Sequence, residues 1–363
     1  MTLPAQQAGT TKPLRVLVAD DSSVQRTVLV SIFEAEAGIT VAGVAANGAE
    51  AVRSAAALKP DVIVMDYNMP EMDGVQASQR IMQETPTPIV MVTETVAITT
   101  LINRASNSGV LAVVTKPLPG PSFEQDKRKL VQTIKTMAAV KLVRRWAPDR
   151  LKTANAALEP PAPQVHHRAC EVVAIGASTG GPQALQEILT ALPGEYALPV
   201  LVVQHIAADF MDSMVNWLRP MCSLPVELAQ TGMTLGQPGI YFAPQGHHLG
   251  VKRRELVLLD DPPIRGHRPS ATVLFEAVAA EYGAMAVGVL LTGMGDDGAS
   301  GLREMKRAGA LTVAQDEASS VVFGMPAAAI GMGVVDYVLP PSAIAPLLTS
   351  LARGQGGHKW DPA

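Results

Sequence analysis

The stretch Leu-Arg-Val-Leu-Val-Ala-Asp-Asp-Ser at residues 14–22 contains a short, mainly apolar run, which is followed by two adjacent carboxylates and a serine. A run of this length and composition predicts a buried strand. Four similar runs follow it, separated by stretches with apolar residues at helical spacing. The five predicted strands are 14–19, 39–45, 61–66, 88–93 and 110–115. Strands that alternate with helices predict a doubly wound, five-stranded parallel sheet.

The chain from Cys170 onward also alternates strand-like and helix-like stretches, but with different spacing. Strands are predicted at 172–176, 199–204, 239–242, 256–259, 286–292, 311–314 and 334–339. Helices are predicted at 183–192, 209–219, 271–282 and 300–308. An antiparallel hairpin is predicted within 241–259. The pattern as a whole predicts a second doubly wound α/β unit.

At 363 residues the chain is longer than one ordinary domain. The first predicted domain, 14–145, ends in an amphipathic helix at 123–145. Residues 146–168 contain four prolines and no sustained periodicity, which is typical of a semi-extended linker. We therefore expect the second domain at 169–353, followed by a disordered tail.

The composition argues against several classes of protein. A net charge of -4 disfavours a nucleic-acid partner. The two cysteines, Cys170 and Cys222, have no metal-ligand spacing and imply no disulfide framework, which fits a reducing cytoplasm. The first 13 residues lack the apolar core of a signal peptide, and no apolar run approaches the roughly 20 residues that cross a bilayer. We expect a cytoplasmic protein that does not insert into a membrane.

Polar side chains follow several strands of the first predicted sheet. The first strand is followed by Asp20 and Asp21, and the third ends at Asp66. Thr93 and Lys116 lie at the ends of the fourth and fifth. Because these strand ends meet at one edge, three carboxylates would repel one another unless a cation, most suitably Mg²⁺, joined them. Lys116 and Thr93 suit a phosphoryl group, and Asp66 is then the natural nucleophile. Taken singly, Asp20, Asp21 and Asp73 would be better explained as helix caps, and Lys116 as a surface residue.

A second set of residues follows strands of the second unit. Ser178 lies in a glycine-rich turn between a predicted strand and a predicted helix, His205 follows another strand, and Asp297 lies beyond a third. A serine nucleophile needs a base, and the base needs an orienting acid, so three strand ends that supply Ser, His and Asp suit acyl transfer. The helix amides after Ser178 could stabilise an oxyanion. Each residue alone could instead be a cap or a hydrogen-bonded structural residue.

The first unit resembles response-regulator receiver domains through Val-Ala-Asp-Asp-Ser (18–22), Met-Asp-Tyr-Asn-Met-Pro-Glu-Met-Asp-Gly (65–74), Thr93 and Thr-Lys-Pro (115–117). The resemblance implies phosphoryl transfer from a histidine kinase to Asp66. It also implies that Asp21, Asp66 and the Asn68 carbonyl hold Mg²⁺, with Asp20 assisting. Receivers often carry an aromatic residue three positions before the lysine, where this chain has Val113, and an acidic residue, Glu94, follows Thr93. How phosphorylation is transmitted is therefore open.

The second unit resembles the catalytic domain of the chemotaxis protein-glutamate methylesterases, the CheB family. The matching motifs are Ile-Gly-Ala-Ser-Thr-Gly-Gly (175–181), Gln204-His205, His-Arg-Pro-Ser (267–270), Leu-Thr-Gly-Met-Gly-Asp-Asp-Gly (291–298), Ala-Gln-Asp-Glu-Ala-Ser (314–319) and Val-Phe-Gly-Met-Pro (322–326). The resemblance implies Ser178 as nucleophile, His205 as base and Asp297 as orienting acid, with Thr179 and Met294 near the oxyanion. Members often have asparagine at the position of Asp296, so which aspartate orients His205 needs a test.

Together the two resemblances imply a methylesterase, regulated by phosphorylation, that acts on glutamate methyl esters of chemoreceptors and also on receptor glutamine. The esterase itself would need no cofactor. Two other hypotheses belong to different classes. One is a catalytically weak regulator that binds a chemosensory complex; the other is a transcriptional regulator, which the α/β second half disfavours. The pair His247-His248 is predicted to lie on the surface instead of binding metal.

Overall fold

A computed structural model describes residues 12–93, 110, 112–138, 170–206 and 208–352. The described chain forms two compact units, one on each side of the predicted linker. The linker at 146–168 and the tail after 353 lie outside the described residues, so the predicted domain boundaries stay a prediction. Among the helices that are described, none is long and apolar enough to cross a bilayer.

The first unit is a five-stranded parallel sheet in the order β2-β1-β3-β4-β5. Its strands are β1 (Leu14–Ala19), β2 (Ile39–Ala45), β3 (Val62–Asp66), β4 (Ile89–Thr93) and β5 (Ala112–Thr115). The described helices are α1 (Ser23–Glu34), α2 (Gly48–Leu58), α3 (Gly74–Glu84) and α4 (Phe123–Ala138). The predicted fold class is confirmed. The predicted continuation of α4 to residue 145 lies outside the described residues.

A side chain caps the N-terminus of each of the first three helices of this unit. Ser22, Asn47 and Asp73 each accept a hydrogen bond from a backbone amide three residues on, which satisfies a donor that the first helical turn leaves free. Strands β3 and β4 are buried along their whole length. Burial on both faces explains why these strands are continuous apolar runs and do not alternate.

The second unit contains a seven-stranded sheet, parallel throughout, in the order β14-β13-β12-β6-β7-β9-β8. Its strands are β6 (Val172–Ala177), β7 (Val200–Gln204), β8 (Val226–Leu228), β9 (Ile240–Phe242), β12 (Ala286–Leu290), β13 (Leu311–Gln315) and β14 (Tyr337–Leu339). The helices are α5 (Gly181–Thr190), α6 (Ala208–Leu218), α7 (Ala271–Tyr282), α8 (Ala299–Arg307), α9 (Met325–Gly331) and α10 (Pro341–Ala352). The predicted doubly wound α/β class is confirmed.

The antiparallel hairpin is separate from this sheet. It consists of β10 (His248–Lys252) and β11 (Glu255–Leu259), whereas Tyr241 belongs to β9 and pairs in parallel with β7. Another predicted strand, 286–292, is too long. It ends at Leu290, and the amide of Thr292 donates to the side chain of Gln315 instead of continuing the ladder.

Two apolar cores cover the two faces of the seven-stranded sheet. Val173 and Ile175 of β6 face one core, and Val172 and Ala174 face the other. This alternation along one strand means that the sheet is enclosed on both sides, so its carboxyl edge is where polar side chains can gather.

Candidate active site and phosphoacceptor site

Ser178 is the first residue after β6. Its amide donates to the carbonyl of Thr292 (3.0 Å), and its carbonyl accepts from Gly181 (2.8 Å) at the start of α5. Gly180 turns the chain with φ of 81°, and a Cβ at that position would lie 2.5 Å from Cβ of Val321. Only glycine fits this turn without strain. The turn therefore holds Ser178 between the end of the sheet and the start of a helix.

His205 lies beside this serine because the two strands are neighbours. Strands β6 and β7 pair in parallel with Ala177 opposite Gln204, so Ser178 and His205 are the next residues in register. The amide of His205 donates to the carbonyl of Ala177 (2.9 Å). The separation of the two backbones is thus set by the sheet ladder and does not depend on a long loop.

A buried amide side chain joins the same two residues. Nε2 of Gln204 donates to the carbonyls of both Ser178 and His205, each at 2.9 Å. A Cβ on Gly181 would lie 2.0 Å from Oε1 of Gln204, an oxygen without a hydrogen-bond partner among the described residues. Gln204 therefore fixes the backbone on either side of the site, a role that its place in a motif did not reveal.

Asp297 lies against the imidazole of His205, with 2.9 Å between Oδ2 and Nε2. Its carboxylate also accepts hydrogen bonds from Ser270 Oγ (2.7 Å) and from the amides of Ala271 (2.7 Å) and Thr272 (3.2 Å) at the start of α7. Burial alone would raise the pKa of this carboxyl, but His205 and the hydroxyl and amide donors outweigh it and hold the pKa well below its usual range. Asp297 therefore favours its charged form beside the imidazole.

The neighbouring carboxylate, Asp296, points elsewhere. It forms an ion pair with Arg265, and both side chains are exposed. Of the two adjacent aspartates, the one beside His205 is therefore Asp297.

A second imidazole covers the ring of His205. The rings of His205 and His267 stack with centroids 4.0 Å apart and planes 4° from parallel. Burial, and then the neighbouring His205, lower the pKa of His267, although Asp297 acts in the opposite direction. His267 therefore favours its neutral form, in which it packs on the base without adding a second charge.

The nitrogen of His205 that remains for the serine is Nδ1. Both ring nitrogens are buried and neither makes a well-aligned hydrogen bond within the described chain, but only Nε2 lies against Asp297, at 2.9 Å. The hydroxyl of Ser178 is not hydrogen-bonded to Nδ1 in this arrangement, although the two residues are register neighbours. An apo site often closes such contacts only when substrate binds. The chemical capacity of the site is that of a serine activated by an oriented imidazole.

Thr179 and Met294, the residues predicted near the oxyanion, lie on two adjoining loops. The carbonyl of Thr179 accepts from Thr292 Oγ1 (2.9 Å), and Met294 is 42% exposed. Between them, Gly293 is so close that a Cβ there would lie 2.7 Å from Cβ of Ser178. Their role at the oxyanion stays a prediction.

In the first unit, the predicted acidic residues come together at the carboxyl edge. Carboxylate oxygens of Asp20, Asp21 and Asp66 all lie within 4.8 Å of one another. Nζ of Lys116 lies 2.8 Å from Oδ2 of Asp20 and 3.0 Å from Oδ2 of Asp66. Three carboxylates against one lysine leave excess negative charge, and an all-oxygen donor set of this kind fits Mg²⁺.

Burial raises the pKa of Asp66 to about 6; Lys116 opposes that shift, and Asp20 adds to it. Burial alone would lower the pKa of Lys116, but its two carboxylate partners raise it. Oδ1 of Asp66 also accepts the amide of Tyr67 at 2.8 Å. The carboxylate is therefore held in place but destabilised as an anion, which suits a group that gains from a cation or from a covalent bond.

The other predicted residues of this site lie around the carboxylates. Thr93 is buried at the end of β4, and its carbonyl accepts the amide of Lys116 (2.9 Å). Asn68 is exposed two residues after Asp66, and its role as a carbonyl ligand stays a prediction. Val113 lies in β5 opposite Met91. Glu94 is outside the described residues.

Comparisons with known proteins match both units. Residues 173–348 match the family model described as CheB methylesterase, and residues 16–134 match the response regulator receiver domain. A protein-glutamate methylesterase/protein-glutamine glutaminase of Myxococcus xanthus is 45% identical over 355 residues, which cover 95% of this chain and 99% of the relative. The chain belongs to the CheB methylesterase family.

Two further comparisons concern the whole chain and its second unit, respectively. A protein of Anaeromyxobacter dehalogenans with the same description is 46% identical over 94% of this chain and 99% of its own. The crystal structure of the CheB methylesterase catalytic domain of Thermotoga maritima is 35% identical; it covers 50% of this chain and 98% of its own, with a TM-score of 0.49.

Sequence reasoning missed several residues that build the CheB site. It did not find the donors to Asp297 at residues 270–272, the stacked His267 or the bridging Gln204. It was wrong about His248, which is completely buried in β10 and is not a surface residue. The motif His-Arg-Pro-Ser at 267–270 held a signal for two of these roles, because it combines an imidazole and a hydroxyl just before a helix.

Proposed function

We propose that this chain is a protein-glutamate methylesterase that hydrolyses glutamate methyl esters on chemoreceptors and is regulated by phosphorylation of its receiver domain. The observation that carries the proposal is the contact of 2.9 Å between a charged, buried Asp297 and His205, one strand from Ser178. Curated relatives that match almost the whole chain carry the corresponding name. The methylated receptor and a histidine kinase are the proposed partners.

In the first half of the reaction, Ser178 Oγ attacks the ester carbonyl while Nδ1 of His205 takes its proton. Asp297 stabilises the imidazolium that forms. The C–OCH₃ bond then breaks, and the imidazolium gives its proton to the leaving group, so that methanol departs and a glutamyl-serine ester remains. The loops of Thr179 and Met294 flank Ser178 and are the proposed source of donors to the oxyanion.

In the second half, water attacks the glutamyl-serine ester and His205 takes a proton from the water. The bond to Ser178 Oγ breaks, the serine recovers its proton, and a glutamate carboxylate is released. The same sequence on a receptor glutamine would release ammonia in place of methanol. No step requires a metal, so the esterase is proposed to work without a cofactor.

Regulation is assigned to the receiver domain. Asp66 would accept a phosphoryl group from the kinase, with Lys116 and Thr93 as contacts to its oxygens. Asp20, Asp21, Asp66 and the Asn68 carbonyl would hold Mg²⁺, which would neutralise this acidic cluster and the phosphoryl oxygens. A raised pKa of Asp66, about 6, supports a site that favours a cation.

The test is methanol release from methylated receptor, measured with and without a small phosphodonor. We expect Ser178→Ala to lower kcat by at least about 10³-fold, because removal of the nucleophile leaves only binding and oxyanion contacts. We expect Asp66→Asn to keep basal turnover and to lose the response to phosphodonor. Equal turnover of Ser178→Ala and the parent protein would contradict the proposal.

The rival hypothesis is a weak regulator that only binds a chemosensory complex. It rested on Val113 and Asp296, and the ion pair of Asp296 with Arg265 leaves Asp297 free for His205, which removes one of its two supports. Normal receptor binding without any methanol release would revive it. The cytoplasmic location stays part of the proposal, since chemoreceptor methyl esters are its substrate.

A further inference from the structure

The orientation of Asp297 depends on one short piece of chain. All three hydrogen bonds to its carboxylate, apart from the contact with His205, come from residues 270–272. Ser270 precedes α7, but its side chain makes no capping bond within that helix. The carboxylate of Asp297 takes that place and accepts the first helical amides, where the helix dipole favours an anion. Movement of Ser270 would therefore move the carboxylate that orients the base.

The buried imidazole of His248 holds Ser270 through the backbone amide of that serine. His248, with 0% exposure, accepts the amide of Ser270 at Nδ1 (3.1 Å), and its Nε2 lies 3.2 Å from the carbonyl of Pro262. An amide can only donate and a carbonyl can only accept. These partners therefore fix a neutral ring with its proton on Nε2.

The two bonds of His248 lie at the two ends of the segment 262–270. Within that segment, Ile264 and His267 exchange a pair of backbone hydrogen bonds, which directs His267 onto the ring of His205. One buried ring thus ties both ends of the segment that supplies His267 to the base and Ser270 to its acid. Neither the local sequence pattern nor the position of the strand ends would predict that β10 packs next to residues 262–270.

We propose that His248 is a positioning residue for the esterase, which acts through Ser270 on Asp297 and through the 262–270 segment on His205. It touches no reacting atom and is therefore not itself catalytic. The inference rests on the proposed function only for its substrate, since activation of Ser178 can be measured without a receptor.

Three substitutions of His248 distinguish its hydrogen bond with Ser270 from its hydrogen bond with Pro262. His248→Leu removes both; His248→Asn keeps an acceptor near the position of Nδ1; His248→Gln keeps a donor near the position of Nε2. We expect His248→Leu to lower kcat about 10–100-fold with KM within about twofold, as expected for misplaced groups next to a reacting centre. We expect His248→Asn to recover most of that loss and His248→Gln to recover little of it.

His247→Asn is the matched control, because the side chain of that neighbouring histidine is 43% exposed and its ion pair among the described residues is with Asp260. The second readout is the rate at which a fluorophosphonate labels Ser178, which depends on the base but not on a receptor. It should follow the same order as kcat. If His248→Leu does not fold, the comparison of His248→Asn with His248→Gln decides.

Nitrogen chemical shifts of ¹⁵N-histidine give a test without turnover and should find Nδ1 of His248 unprotonated and Nε2 protonated. Any one of three results would overturn the inference. They are a protonated Nδ1 of His248, a His248→Leu variant as active as His247→Asn, and equal recovery of kcat by His248→Asn and His248→Gln. Failure of the proposed function has a different signature. The parent protein would then be labelled at Ser178, with the variants still in the expected order, but would release no methanol from receptor.

Discussion

The two units each place a buried aspartate at the carboxyl edge of a parallel sheet, and the two carboxyl groups are shifted in opposite directions. Asp66, 5% exposed, has its pKa raised to about 6, whereas the pKa of Asp297, 3% exposed, lies well below its usual range. Burial acts in the same direction on both. The difference comes from their partners: Asp297 accepts three hydrogen bonds and faces an imidazole, while Asp66 shares one lysine with a second carboxylate.

This comparison shows how equal burial serves different chemistry. Asp297, which is proposed to orient the base, has enough hydrogen-bond donors to favour its charged form. Asp66, which is the proposed phosphoacceptor, is left short of positive charge, so that a cation or a phosphoryl group would improve its environment. The surroundings of each aspartate, more than its depth, therefore indicate its role.

The sharpest test of the comparison replaces the charge of Asp297. We expect Asp297→Asn to lower kcat by about 10³–10⁴-fold, because the amide can no longer stabilise the imidazolium and presents a donor where an acceptor is needed. Methanol release measures the loss. Asp296→Asn is the control and should stay within about threefold of the parent, since its partner is Arg265 and that ion pair is exposed. Equal losses in the two variants would mean that both carboxylates orient His205.

A smaller effect is expected from Asp66, on stability and with a definite dependence on pH. Its pKa of about 6 in the folded chain exceeds the ordinary 3.8, so the folded state binds its proton more tightly and loses stability as the pH rises from about 4 to about 6. We expect Asp66→Asn to stabilise the receiver by about 1–2 kcal/mol at pH 7. The full shift, which already includes the attraction of Lys116, would correspond to about 3 kcal/mol and is an upper bound on this gain.

Amide hydrogen exchange of β3, expressed as protection factors, would measure this change within the full chain. The gain in stability should disappear below about pH 3, where the carboxyl of the parent protein is protonated in both the folded and the unfolded state. If Asp66→Asn stabilises the receiver equally at both pH values, the cause is the shape of the side chain and not its charge.

The smallest effect concerns the cation. We expect Asp21→Asn to weaken Mg²⁺ binding about tenfold, or about 1.4 kcal/mol, because it removes one of three carboxylates from the cluster. Titration calorimetry of the unphosphorylated protein measures the affinity. Asp73→Asn is the control, since Asp73 caps α3 outside the cluster and asparagine caps as well as aspartate. Loss of affinity in the control alone would place the cation elsewhere.

Much of this arrangement follows from local sequence patterns. Both sheets could be predicted because apolar runs such as 14–19 and 172–176 are buried on two faces and carry no alternation. The residues that end them could be predicted as site residues because the strand ends of a parallel sheet share one edge. That is why Asp20, Asp66, Ser178 and His205 were all found from their position after a strand.

The supporting residues could not be found in this way. His248 reaches Ser270 across 22 positions, and Gln204 reaches Ser178 across 26, so no local period relates them. No local period distinguishes the adjacent aspartates at 296 and 297 either. They differ in the residues that contact them, which are His205 for Asp297 and Arg265 for Asp296. Contacts of this kind depend on the packing of β10 and α7, which short-range patterns do not encode.

The close approach of Gly181 to Gln204 has a consequence for variation among natural and engineered versions of this enzyme. A Cβ at 181 would lie 2.0 Å from Oε1 of Gln204 and 2.9 Å from Cβ of Ala177, so a substitution at 181 must displace both the Gln204 side chain and part of β6. A shorter residue at 204 no longer bridges the carbonyls of Ser178 and His205. A substitution at either position is therefore expected to disturb the backbone at Ser178 and His205, so the two positions are coupled.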